Sequence, residues 1–178
     1  MNREQLAHVL RAACTISGDP RVLVIGSQAI LGSFDEDDLP AAATASAEVD
    51  LAFFEDREQI KSDEVDGAIG ELSTFHQTNG YYAQGVSVET AVLPSGWHER
   101  LVSWRSGSTG AARAVFLDKH DLVVSKLVAM REKDKQFALA LLRAGLVDAA
   151  VLRLRASQLP EDVRPQTRRH VENFLSAV

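Results

Sequence analysis

The apolar run Val22-Leu23-Val24-Ile25, cut off by Gly26-Ser27, constrains the fold more than any other stretch of the chain. Consecutive apolar residues of this length suit a strand buried on both faces, and the glycine ends it. Ser27 then opens the pattern Gln28-Ala29-Ile30-Leu31, placing a hydroxyl at a helix start, where unpaired backbone N–H groups favour an anion. Further on, the residues alternate: Glu48 and Asp50 face one way, Val49 and Leu51 the other, as a half-buried strand over 47–54 requires. Side chains at i and i+2 of a strand share a face with Cα atoms ~7 Å apart, so these two carboxylates can hold a divalent cation between them. Strand, Gly-Ser turn and carboxylate pair together predict phosphate and metal chemistry. The bland alternative for the pair alone is the polar face of an ordinary strand.

Gly26-Ser27 followed by Glu48-x-Asp50 resembles the signature of the nucleotidyltransferase superfamily. A later segment, Asp121 through Lys126 and Arg131 to Asp134 and on to Gly145-Leu-Val-Asp148, is similar to the AbiEii-type and MenT-type toxin branch, where a second motif is built on a lysine. The two regions together reach from Arg21 to Asp148. The resemblance implies an α/β (α+β) fold, a mixed sheet flanked by helices, with a core over 1–117 and a C-terminal helical segment over 118–178 packed on it. It also implies transfer of a nucleotide from an NTP to an acceptor such as tRNA or another RNA. Magnesium, as one or two Mg²⁺ ions, would assist, and a separate antitoxin protein would be a partner. By residue, Glu48 and Asp50 are expected to bind the metal, joined by Glu89 on a later strand. Gly26, Ser27, Lys126 and Arg131 are expected to hold the nucleotide, and Asp50, Lys126 and Asp134 to serve catalysis. Members of the superfamily mostly carry aspartate at the first acidic position. Glu48 sets its carboxylate one methylene further out, so a degenerate chain that binds only a nucleotide or a protein is the alternative.

Length and composition agree with one domain: 178 residues, 46% hydrophobic, are enough to bury a real core. A net charge of -6 argues against a protein that coats nucleic acid, which would need an excess of lysine and arginine. Cys14 is the lone cysteine, so no intrachain disulfide is possible, and no Cys/His set has zinc spacing; a reducing cytoplasm is the expected setting. The opening Met-Asn-Arg-Glu-Gln is polar and no apolar run approaches membrane-spanning length, so neither export nor a membrane is expected.

Periodicity supplies the other elements. Leu6, Val9, Leu10 and Ala13 predict a helix over 3–15, closed by Gly18-Asp19-Pro20. The acidic stretch 35–38 reads as a solvated loop and 56–72 as a surface helix. Asn79-Gly80 is a hairpin signal, followed by one or two strands over 81–93 that carry Glu89. A strand or edge over 97–104 with Arg100 and Arg105, a Gly/Ser/Thr loop over 106–110 and a strand over 114–117 come next. Asp118 caps a helix whose apolar face is Leu122, Val123, Leu127 and Met130, and Lys126 interrupts that stretch at a cost unless its ammonium meets solvent or an anion. Helical packing continues through Phe137 and Leu142 to Gly145, and Asp148 caps or joins a helix over 149–157. The last helix, over 162–178, carries Arg164, Arg168, Arg169 and His170, a face that can touch RNA or simply be solvated. His76 receives no role.

Overall fold

The computed structural model describes residues 1–104 and 107–178; Arg105 and Ser106, part of the expected edge strand and loop, lie outside the described residues. Strand β1 (Val22–Val24) is buried at every position, as its unbroken apolar run requires. It pairs antiparallel with β2 (Glu48–Phe53) on one side and parallel with β5 (Ala114–Phe116) on the other. β3 (Tyr82–Gly85) runs parallel to β2, and β4 (Val102–Trp104) antiparallel to β5, giving a five-stranded mixed sheet of order β3-β2-β1-β5-β4.

Helix α1 (Arg3–Ser17) opens with a capping box between Asn2 and Gln5 and ends at Gly18, whose φ of 65° is left-handed. It packs against β1 and against α3 (Ile60–Ile69), which itself lies on β2 and β3. After Gly26 the chain tightens into a 3-10 helix, Ser27–Gly32, where a short helix was expected. This 3-10 segment lies against β2, β5 and helix α5 (Lys119–Ala129). Behind α5 stand α6 (Glu132–Arg143), α7 (Ala149–Ser157) and α8 (Pro165–Ser176), and α6 also meets the short α2 (Ala41–Thr44). One apolar cluster runs through all of this, from Leu6 and Leu10 through Val24 and Leu51 to Leu122, Leu141 and Leu175. Asp118 and Asp148 cap α5 and α7 through backbone N–H groups, as their spacing predicts.

Three expectations change. Asn79-Gly80 does not turn a hairpin: Gly80, at φ 76°, closes helix α4 (Thr74–Asn79), and its N–H donates to the His76 carbonyl at 2.8 Å. A left-handed glycine suits a helix end as well as a tight turn, and the helical crossover makes β3 parallel to β2. The strand expected around Glu89 ends at Gly85, and Glu89 sits in a 3-10 turn, Val88–Thr90, exposed to solvent. The helix that starts at Asp118 stops at Ala129, because Met130 takes a left-handed φ of 53° and Arg131 begins a new helix.

Candidate active site

β2 presents Glu48 and Asp50 from one face while Val49 and Leu51 enter the core, the alternation read from the sequence. The turn after β1 is fastened directly over this pair. The Ile25 N–H donates to the Asp50 carbonyl at 3.1 Å, and a Cβ at Gly26 would lie 1.6 Å from Asp50 Oδ2. Only glycine leaves that space, so the Gly-Ser turn and the carboxylate are one unit. Gln28, fully buried, donates to the Ser46 carbonyl at 3.0 Å and ties the 3-10 segment to the entry of β2.

Lys126 faces the pair from α5. Its side chain is mostly buried, and burial lowers its pKa while Asp50 and Asp134 oppose that shift. The Asp50 carboxyl is pushed up to about 6, first by burial and then by the neighbouring charge of Glu48, with Lys126 pulling the other way. Asp50 so placed binds a proton more readily than an ordinary aspartate does, and a cation would compete with that proton.

Asp134 is 2% exposed and lies 3.9 Å from the Lys126 ammonium. It accepts from Arg131 Nε at 2.7 Å and from the Arg131 backbone N–H at 3.2 Å, so it caps the new helix and aims both cations at once. The helix break at Met130 is what lets Arg131 and Asp134 fold back beside Lys126. A cavity of about 420 Å³ collects Ser27, Glu48, Asp50, Lys126, Arg131 and Asp134. Gln84 and Lys133 line it too, although nothing in the sequence separated Lys133 from its charged run. The sequence-predicted residues Gly26, Ser27, Glu48, Asp50, Lys126, Arg131 and Asp134 thus converge at one place.

Glu89 does not join them. Its carboxylate accepts a hydrogen bond from the Ser87 hydroxyl, and it lines a separate trench of about 830 Å³ floored by Phe53, Val128 and Trp97. A smaller cavity lined by Gly26, Asp50, Lys126 and Val128 lies between the two spaces, sharing walls with both. No group of three His, Cys, Asp or Glu side chains among the described residues is placed to hold a metal ion. Asp148 caps α7 through its Oδ1, and Arg168 donates to the Leu159 and Val163 carbonyls, which removes it from the basic face.

Tyr82 and Gln84 are site residues that sequence reasoning missed. β3 pairs with β2 in the register Glu48 to Tyr82 and Asp50 to Gln84, so both stand beside the carboxylates. Their i, i+2 spacing carries a signal only once the register of the two strands is known.

A mixed α/β sheet of this kind, with a Gly-Ser turn seated on a strand carboxylate, is a nucleotidyltransferase-type fold. Residues 4–174 match the family described as "Nucleotidyltransferase of unknown function (DUF6036)", and the chain belongs to it. No curated protein and no solved structure gives a significant match. The family lies within the superfamily that the motifs suggest, and its description names no toxin branch. No helix among the described residues is long and apolar enough to cross a membrane.

Proposed function

We propose that the chain transfers a nucleotide from an NTP to an acceptor hydroxyl, with Mg²⁺ held by Glu48 and Asp50. The observation that carries this is the carboxylate pair itself, with Asp50 packed on the Gly26 backbone beside Glu48 and sharing a cavity with Lys126. The donor set fits the ion: Mg²⁺ is commonly bound through one or two carboxylates together with substrate phosphates and water, so no third protein carboxylate is required. Mg²⁺ supplies positive charge against the reacting phosphate. The remaining work falls to this chain's own groups, because nucleotidyl transfer depends on neutralising charge and holding the reacting oxygens in line. Lys126, Arg131 and Lys133 oppose the triphosphate charge from one side of the cavity, and Ser27 offers a hydroxyl to a phosphate oxygen. Asp134 holds Lys126 and Arg131 in place. The trench beyond Val128, with Phe53, Trp97 and Val163 on its apolar walls, offers room for the uncharged parts of the substrates.

The resemblance to AbiEii-type and MenT-type toxins supports an RNA acceptor, such as a tRNA 3′ end, and control by an antitoxin protein in the cytoplasm. Incubating the protein with each α-labelled NTP, Mg²⁺ and total tRNA tests this. Label should enter tRNA, and both Asp50→Asn and Lys126→Ala should abolish it. Shortening of the RNA without NTP would instead identify a nuclease. A second reading, a degenerate member that binds a nucleotide or a protein without catalysis, draws on Glu48 standing where aspartate is usual. NTP binding that survives in a chain unable to label any acceptor would favour it.

A further inference from the structure

The longer side chain at position 48 brings its own support. Tyr82 stands opposite Glu48 in the β2–β3 register, and its hydroxyl donates to Glu48 Oε2 at 3.1 Å. The phenol ring is backed by the His76 ring, with centroids 4.5 Å apart. His76 is fixed in turn, its Nδ1 accepting the Leu72 N–H at 3.0 Å. The His76 and Tyr82 rings thus form a brace running from the turn between α3 and α4 to one oxygen of Glu48.

We propose that Tyr82 is a positioning residue, whose hydroxyl anchors Glu48 Oε2 and so lets a glutamate serve as a metal ligand beside Asp50. This rests on the metal reading of the carboxylate pair. An unanchored glutamate has one more rotatable bond than aspartate, and ordering it on a metal would cost more conformational entropy. Partners that orient a metal ligand typically contribute 10–100-fold to affinity.

A double-mutant cycle with Mn²⁺ alone, read by the EPR signal of the free ion, tests the role without requiring turnover. Tyr82→Phe keeps the ring against His76 and loses only the hydroxyl. It should weaken Mn²⁺ binding about tenfold, with an unchanged circular dichroism spectrum. In a Glu48→Asp background the shorter carboxylate cannot reach the hydroxyl, and Tyr82→Phe should then change nothing. Unaltered Mn²⁺ affinity in the single variant, or equal losses in both backgrounds, would overturn the positioning role while leaving the metal site standing. Absence of Mn²⁺ binding by the unaltered protein, with Asp50→Asn no different, would instead remove the metal reading and this role with it.

Discussion

At the scale of single residues, the site stores an electrostatic cost that a substrate-bound cation would relieve. The Asp50 carboxyl titrates near 6 in the folded chain against 3.8 for an ordinary aspartate. The folded state therefore binds more protons than the unfolded state between these values. The resulting stabilisation is full below the unfolded pKa and is lost as pH rises through the folded one. At 1.36 kcal/mol per pKa unit, the loss by neutral pH is about 2–3 kcal/mol. In divalent-free buffer, Asp50→Asn should raise stability by that order at pH 7.5 and by little at pH 4, measured by urea unfolding; equal effects at both pH values would contradict the assignment. Gly26 shows the same economy of space, since a Cβ there would sit 1.6 Å from Asp50 Oδ2. Gly26→Ala should therefore displace the carboxylate and lower transfer by more than about tenfold, or 1.4 kcal/mol of transition-state stabilisation, while the thermal melt keeps a single cooperative transition. The glycine and the carboxylate pair were both legible in the sequence, because a strand alternates and a Gly-Ser break is local. Lys133, Gln84 and Tyr82 were not, because each joins the site through a helix break or a strand register that no local pattern encodes.

Elements place these residues, and the C-terminal helices matter as much as the sheet. α5 delivers Lys126, and the left-handed Met130 redirects the chain so that α6 returns Arg131 and Asp134 to the same spot. A continuous helix, the simplest extension of the apolar periodicity past Met130, would have carried them away. The sequence offers no glycine or proline at that break, which is why periodicity alone passes over it. Asp121 has a comparable hidden task. It is fully buried, accepts from Arg100 Nε and a terminal guanidinium nitrogen at 2.8 and 3.0 Å, and lies 3.4 Å from Arg155 Nε. It thereby joins α5 to α7 and to the turn Trp97–Arg100 beside the trench. Removing one partner of a buried charge cluster strands the others, so Asp121→Ala should cost about 3 kcal/mol in chemical denaturation. A change below 0.5 kcal/mol, the usual range of a surface substitution, would mean the cluster is not clamping the helices.

Across the whole molecule, the fold sets neighbouring open spaces around one carboxylate pair. Cations from α5 and α6 stand on one side, and the trench lined by Phe53, Trp97 and Val128 lies beyond the small cavity that holds Asp50 and Lys126. The chain is acidic overall, with a net charge of -6, so this concentration of lysine and arginine at the cavity is local and placed by the fold. The mixed architecture followed from the resemblance carried by Gly26-Ser27 and Glu48-x-Asp50, but the parallel pairing of β3 with β2 was not legible, because Asn79-Gly80 serves a helix end here. Nucleotidyl transfer is the central claim, and the position of the label in the NTP tests it most directly. With Mg²⁺ and total tRNA, the α-labelled nucleotide should leave its phosphate on an acceptor and the γ-labelled one should not, with Asp50→Asn inert toward both. Transfer of the γ label, or α labelling that survives Asp50→Asn, would contradict it.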